Sequence, residues 1–188
     1  MADFDFDAAL RWARLDPQRT LARRPDDRLP FVDGNPIGGP GLLFDTSVYI
    51  DRMQGRVPAE LRQLLGHRQA NHSTVAVQEL MHSVGALNPA DIRTPVAIAQ
   101  IRLVIKTMAP HRVFAPDPGV LGRAALLSGM LCRLQGYAAD HKMRALQDCT
   151  LFLQAQKLGL AVLTANVADF DILLQLIPSG RALLYRRV

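Results

Sequence analysis

Short apolar runs and amphipathic stretches alternate along most of this chain. Runs such as Leu-Leu-Phe at 42–44 and Ala-Val-Leu-Thr at 161–164 are typical of buried strands, whereas residues 91–109 place apolar side chains at the spacing of a long amphipathic helix. The same reasoning predicts strands at 41–44, 72–74, 111–114, 160–164 and 182–185, helices at 46–53, 58–66, from 75, at 91–109, 117–134, 146–158 and 167–176, and a polar loop at 135–144.

Repeated strand–helix units predict an α/β fold. Right-handed crossovers then build a mainly parallel sheet of four to five strands with helices on both faces, which is a three-layer α/β/α arrangement. In such sheets ligands bind at the carboxyl ends of the strands.

The first forty residues differ from this pattern. Apolar residues between positions 8 and 21 fit one or two helical turns, and the prolines and glycines of 24–40 predict a linker or extended arm. We therefore divide the chain into an arm at 1–40 and a domain at 41–188. Two hypotheses about the arm remain open: it is a dispensable docking or covering segment, or its helix packs permanently on the domain.

Charge is distributed unevenly between these parts. The chain has 22 Lys and Arg against 17 Asp and Glu, a net charge of +5. Residues 1–40 contain seven acids and six arginines (net −1), so 41–188 contain 16 bases and 10 acids (net +6). A basic domain suggests a polyanionic partner such as nucleic acid. An apolar fraction of 49% excludes a disordered protein.

Cysteine usage and the amino-terminal residues indicate the compartment. The two cysteines, Cys132 and Cys149, predict neither a disulfide framework nor a structural zinc site. The chain starts with an acidic segment where a signal peptide needs a basic one, and it has no apolar run long enough to span a membrane. We therefore expect a cytoplasmic protein without membrane association.

Carboxylates stand close to the carboxyl ends of the predicted strands. Each of them has an ordinary alternative role as a helix cap, a turn residue or a solvated helix residue. Glu79 is one of only two glutamates, however, and it lies in an apolar segment. Carboxylates that converge at one sheet edge repel one another unless a hard divalent cation such as Mg²⁺ or Mn²⁺ neutralises them. Three acids follow predicted strands in this way, namely Asp45, Glu79 and Asp169, and a fourth, Asp148, lies at the start of the helix that leads into the 160–164 strand.

Three blocks of this sequence resemble PIN-domain ribonucleases, in particular VapC-type toxins of bacterial toxin–antitoxin pairs. They are LLFDTSVYI at 42–50, TVAVQEL at 74–80 and QDCTLFLQAQKLGLAVLTANVADF at 147–170, and the resemblance covers about 41–188 in the right order. It implies a PIN-like fold and a catalytic, metal-binding set formed by Asp45, Glu79, Asp148 and Asp169. It also implies polar support from Thr46, Thr164 and Asn166. Ser47 stands where the family usually has Asn, and the forty-residue arm is longer than the usual start.

The resemblance further implies a Mg²⁺- or Mn²⁺-dependent endoribonuclease, a homodimer and a cognate antitoxin. Two other readings stay open: a PIN-like module that binds RNA or protein without cleaving, and a phosphoaspartate enzyme, although the segment after Asp45 lacks the second aspartate of DxDxT. Basic side chains that line an RNA channel, or that simply form a solvated basic face, are Arg52, Arg56, Arg112, Lys142 and Arg144.

Overall fold

A single parallel sheet forms the centre of the protein. The computed structural model describes residues 4–188, apart from the side chains at 139–140. The strands are β1 (Leu42–Phe44), β2 (Ala70–Ser73), β3 (Val113–Phe114), β4 (Ala161–Thr164) and β5 (Ala182–Leu184). Their order across the sheet is β3-β2-β1-β4-β5, and every pair is parallel. Five parallel strands confirm the predicted sheet.

Helices cover both faces and complete three layers. They are α1 (Phe6–Leu10), α2 (Thr46–Met53), α3 (Ala59–Leu65), α4 (Thr74–Ala86), α5 (Thr94–Thr107), α6 (Pro118–Gln135), α7 (Ala139–Lys157) and α8 (Val167–Leu176). Their apolar side chains form two cores, one supplied mainly by α6, α7 and α8 and the other by α2 to α5. The fold class predicted from the sequence is therefore confirmed.

β1 and β4 lie side by side at the middle of the sheet. Their register pairs Leu42 with Ala161 and Phe44 with Leu163. All the side chains of both strands are buried, which explains why each reads as a continuous apolar run rather than an alternating one. The carboxyl ends of these two central strands consequently open onto the same edge of the sheet.

One local prediction was wrong. Residues 135–144 were expected to form a polar loop, but α7 already begins at Ala139. Residues 141–144, in the first part of this helix, are exposed, and Ala145 is the first buried side chain after them. A helical segment that buries no side chain has no apolar periodicity, so its sequence resembles a loop.

The arm packs on the domain along much of its length. Leu29, Phe31 and Val32 are buried in the two cores. The amide of Leu184 donates a hydrogen bond of 2.9 Å to the Pro30 carbonyl, and Phe31 forms a parallel bridge with Leu184, so the arm covers the β5 edge of the sheet. These contacts favour the hypothesis of a permanently packed arm over that of a dispensable one.

A buried ion pair also ties the arm to α8. The backbone amide of Arg24 donates to Asp171 at 2.7 Å, and its Nε donates to the same carboxylate at 2.6 Å. Asp171 is fully buried.

Within the described residues, no helix is long and apolar enough to cross a membrane.

Candidate active site

Asp45 joins the end of β1 to the start of α2. It is the N-cap of α2, and its Oδ1 accepts a hydrogen bond of 2.7 Å from the Thr46 amide. The hydroxyls of Ser47 and Thr164 donate to its Oδ2 at 2.5 and 2.7 Å. Because Thr164 ends β4, this last bond crosses between the two central strands. Asp45 is thus a buried carboxylate whose orientation is set by three donors.

Glu79 approaches the same edge from α4. This helix begins directly after β2, where the Ser73 hydroxyl accepts from the amide of Val75 and caps it. One turn and a half later, Glu79 accepts a hydrogen bond of 2.5 Å from the Thr46 hydroxyl. Thr46 therefore contacts Asp45 through its backbone and Glu79 through its side chain.

Asp148 and Asp169 are bridged by one amide group. The Nδ2 of Asn166 donates to Asp148 Oδ2 at 3.0 Å and to Asp169 Oδ2 at 2.8 Å. Asn166 also caps α8, accepting from the Asp169 amide. The other oxygen of Asp169 accepts from the Tyr137 hydroxyl at 2.7 Å. The four carboxylates lie far apart in the sequence. β1, α4, α7 and α8 therefore bring them to one region of the fold.

A cleft of about 570 Å³ opens over three of these acids, since Asp45, Glu79 and Asp148 all line it. Asp169 lies beside it through Asn166, which is a lining residue. Other side chains from α4 and α7 complete the walls, namely Gln78, His82, Ser83, Met143, Arg144 and Gln147. The supporting residues Thr46 and Asn166 face the cleft, whereas Thr164 is fully buried beneath Asp45.

Burial and mutual repulsion raise the pKa values of Asp148 and Glu79. Burial, followed by the negative charges of Asp45, Asp169 and Glu79, raises the pKa of Asp148 well above its usual range. Burial likewise raises the pKa of Glu79 from 4.5 to about 7, against the opposing hydrogen bond from Thr46. Arg144 lies close enough to lower the pKa of both groups. The cleft thus concentrates negative charge that no neighbouring cation fully compensates.

The raised pKa of Glu79 predicts a pH-dependent stability. A carboxylate whose folded-state pKa exceeds its unfolded value stabilises the fold less as pH rises, so stability should fall between about pH 4.5 and 7. One pKa unit corresponds to about 1.4 kcal/mol, so a rise from 4.5 to about 7 limits the loss from Glu79 to about 3.5 kcal/mol. Chemical denaturation of metal-free protein across this range measures it.

Glu79→Gln should flatten this profile, because the replacement does not ionise. Glu60→Gln is the matched control, since Glu60 is the chain's other glutamate and is exposed on α3. A Glu79→Gln profile as steep as that of wild type would contradict the proposed origin of the pH dependence.

The donor set fits a hard divalent cation in charge and chemistry. Carboxylate oxygens are the ligands that Mg²⁺ and Mn²⁺ prefer, and the repulsion that raises the pKa of Asp148 is what such an ion relieves. Among the side chains that the structure describes, however, no three acidic, imidazole or thiol groups already stand in the arrangement of a formed metal site. Asp45 in particular has its oxygens directed at hydrogen-bond donors.

The predicted basic residues are distributed over different parts of the surface. Arg144 lines the cleft on α7, and Lys142 and Arg52 are exposed. Arg56 is paired with the buried Asp51 at 2.8 Å, which favours a structural role. Arg112 precedes β3 and lies toward the opposite strand ends. Only Arg144 of this set is among the lining residues of the cleft.

Sequence reasoning missed two residues at the site. Tyr137, which holds Asp169, follows α6 in a segment that gives no local sign of such a contact. Arg187 lines the cleft from the carboxyl-terminal tail. Their roles depend on partners 32 and 136 residues away in sequence, Asp169 and Asp51, so no short motif could have revealed them.

Comparison with known proteins finds similarity in structure alone. No protein-family model matches the chain, and no curated protein is a significant match in sequence. Three of the similar solved structures match over nearly their whole length, and two of them are DNA-bound.

The first is VapBC2 from Rickettsia felis bound to a promoter DNA fragment, with a TM-score of 0.50, 10% identity and coverage of 77% of this chain and 97% of that one. FitAcB from Neisseria gonorrhoeae has a TM-score of 0.53 at 16% identity, covering 76% and 96%. DNA-bound VapBC from Salmonella typhimurium has a TM-score of 0.51 at 17% identity, covering 77% and 97%.

The resemblance noted from the motifs agrees with these matches. With identities of 10%, 16% and 17%, these three matches establish a similarity of fold. With its parallel five-stranded sheet between two layers of helices, this chain shares the fold of these solved structures, in agreement with the fold that the motifs imply.

Proposed function

We propose that this protein is a Mg²⁺- or Mn²⁺-dependent endoribonuclease and the toxin of a toxin–antitoxin pair. The observation that carries the proposal is the convergence of Asp45, Glu79 and Asp148 on one cleft at the carboxyl ends of β1 and β4. Asp169 is joined to this group through Asn166. The structural neighbours from toxin–antitoxin complexes support the same function.

The four carboxylates would hold the cation, which when bound supplies a water of lowered pKa and stabilises negative charge on phosphoryl oxygens. The surrounding residues fix the geometry of these ligands. Thr164 and Ser47 orient Asp45, Thr46 orients Glu79, and Asn166 keeps Asp148 and Asp169 at a set separation. Such outer contacts matter because ligand orientation sets metal affinity.

Arg144 is the basic residue placed to meet the substrate. It is exposed, it lines the cleft, and it makes no hydrogen bond or ion pair with the described residues. An unpaired guanidinium beside an acidic cleft can bind the phosphate that follows or precedes the cleaved bond. We propose the same general function, with weaker contacts, for the exposed Arg52 and Lys142.

The proposal includes two protein partners. The neighbours named VapBC and FitAcB are complexes, so a cognate antitoxin that covers the acidic cleft is the expected regulator of this protein. A homodimer and a cytoplasmic location belong to the same proposal. A small gene for a DNA-binding protein next to the gene for this chain would support the toxin assignment.

A non-catalytic PIN-like module is the second candidate. It is favoured by the absence, over residues 4–188, of three groups already arranged as a metal site. A phosphoaspartate enzyme fits less well, because both oxygens of Asp45 already accept hydrogen bonds from Thr46, Ser47 and Thr164. Only the first two candidates therefore need an experiment to separate them.

Incubation of purified protein with a mixed RNA substrate separates the two candidates. Cleavage should require added Mn²⁺ or Mg²⁺ and should stop with EDTA. It should leave 5′-phosphate and 3′-hydroxyl ends, because water attacks the phosphorus, the bond to the 3′ oxygen breaks, and that oxygen leaves as the hydroxyl. The Asp45→Asn variant, purified in parallel, controls for contaminating nuclease. Intact RNA at every metal concentration, or cleavage that persists in EDTA, would exclude the metal-dependent nuclease.

A further inference from the structure

Arg187, next to the carboxyl terminus, reaches the rim of the acidic cleft through a contact with α2. Its Nε donates to both oxygens of Asp51 at 2.9 Å each. Asp51 is 0% exposed, whereas the Arg187 side chain remains 49% exposed and lines the cleft. One end of this guanidinium is therefore anchored in the protein interior while the rest of the side chain faces solvent at the site.

Asp51 does not need Arg187 for neutralisation. Arg56 already pairs with the same carboxylate at 2.8 Å, and the Tyr185 hydroxyl donates to it at 2.8 Å. Two arginines on one buried aspartate leave a formal surplus of one positive charge. Because Arg187 is the partner that lines the cleft, this surplus charge is available to a ligand there.

The guanidinium also retains unused donors. An arginine has five N–H groups, and the contact with Asp51 uses the one on Nε. Among the described residues, the terminal nitrogens of Arg187 have no hydrogen-bond acceptor. A forked pair of N–H groups fixed in orientation matches two oxygens of a phosphate, and its fixed geometry reduces the entropy lost on binding.

The position of Arg187 complements that of Arg144. Arg144 enters the cleft from α7, whereas Arg187 enters beside α2, next to Ser47 and Ile50. The carboxylates Asp45, Glu79 and Asp148 line the same cleft. Since the acids themselves repel a polyanion, cations from both elements help to hold one in the cleft.

We propose that Arg187 is a phosphate-binding residue for the RNA strand and that Asp51 is its positioning residue. This assignment rests on the proposed function. It adds a specific contact: a phosphate of the bound strand lies against α2, at a position separate from Arg144 on α7. The carboxyl-terminal tail is then part of the substrate-binding surface.

The test measures binding of a fluorescent single-stranded RNA across a range of salt concentrations, in an Asp148→Asn background that does not cleave. Each neutralised phosphate contributes about −0.7 to the slope of log affinity against log salt. Arg187→Gln should therefore make the slope shallower by about 0.7 and weaken binding about tenfold, the scale of one charge-assisted contact.

Arg181→Gln is the matched control, because it removes the same charge from an exposed arginine that precedes β5 and lies at the opposite strand ends. It should leave the slope unchanged. An unchanged slope in Arg187→Gln, or an equal reduction in both variants, would overturn the assignment. A parent variant that does not bind RNA in a salt-dependent way would instead overturn the proposed function, and the assignment with it.

Arg187→Lys keeps the charge but not the fork, and it addresses the case in which the glutamine variant folds poorly. It should keep the parental salt slope and bind RNA more weakly, because an ammonium group cannot contact Asp51 and a phosphate with the same geometry. Parental affinity in Arg187→Lys would exclude a forked contact held by Asp51.

Discussion

The Asp148→Asn variant should lose RNA cleavage and still be at least as stable as wild type in the absence of metal. Asp148 is 6% exposed, and burial and three neighbouring acids raise its pKa well above the usual range. Asparagine removes that repulsion with almost no change in shape, so the free energy of unfolding at neutral pH should stay the same or rise by about 1 kcal/mol, the scale of one pKa unit. A structural salt bridge or a helix cap predicts a loss of similar size instead.

Melting curves with and without Mn²⁺, together with a cleavage assay, test both parts of this expectation. Wild type should melt at a higher temperature when Mn²⁺ is added, since an ion that binds only the folded state stabilises it, and Asp148→Asn should not respond. Asp27→Asn, at an exposed position in the arm, is the matched control and should behave as wild type. A destabilised Asp148→Asn that still responds to metal and still cuts RNA would overturn the assignment.

Asp45→Asn should also abolish cleavage and the response to Mn²⁺, but its effect on stability is less simple. Asp45 accepts hydrogen bonds from Thr46, Ser47 and Thr164, whereas Asp148 has only the one from Asn166 among the described residues. An asparagine at position 45 keeps the helix cap, yet its amide group replaces one of the two accepting oxygens. Asp148→Asn is therefore the clearer measure of charge repulsion.

Deletion of residues 1–38 should abolish cooperative folding of the domain. The deletion removes the buried side chains of Leu29, Phe31 and Val32, each of which contributes about 1.5–3 kcal/mol. It also removes Arg24, the ion-pair partner of Asp171, and the loss of one partner of a buried pair costs up to about 3–5 kcal/mol. The sum is comparable with the total stability of a typical domain, about 5–15 kcal/mol. Thermal and chemical denaturation of the truncated chain measures the loss.

Point variants in the full-length chain measure how much the Arg24–Asp171 ion pair contributes to this loss of stability. Arg24→Met should be strongly destabilising, while the double variant Arg24→Met/Asp171→Leu should recover most of the stability, because it removes the uncompensated charge. Phe6→Ala, at a position that is 65% exposed, should have little effect. A truncated domain that unfolds cooperatively within about 2 kcal/mol of wild type would show that the arm is dispensable.

Local patterns were sufficient for most of the secondary structure. β1 and β4 are apolar runs because both of their faces are buried, and the amphipathic spacing of α5 appears without knowledge of its neighbours. The prediction was wrong at 141–144 of α7, where the helical residues are exposed. Apolar periodicity in a sequence shows which side chains are buried and does not show whether the backbone is helical. The prolines and glycines of 24–40 predict a linker, because they disfavour helices and strands. They do not prevent this segment from packing on the domain.

The sequence by itself determined the fold class and the choice of the four candidate acids. Both follow from short-range patterns and from motifs of a few residues. Only the tertiary structure decided which side chains hold those acids in place and which cations face the cleft. Asn166 bridges two carboxylates, Asp51 anchors an arginine 136 residues away, and Arg24 neutralises an aspartate 147 residues away. Such contacts join positions that share no local pattern, because the folding of the sheet alone brings them together.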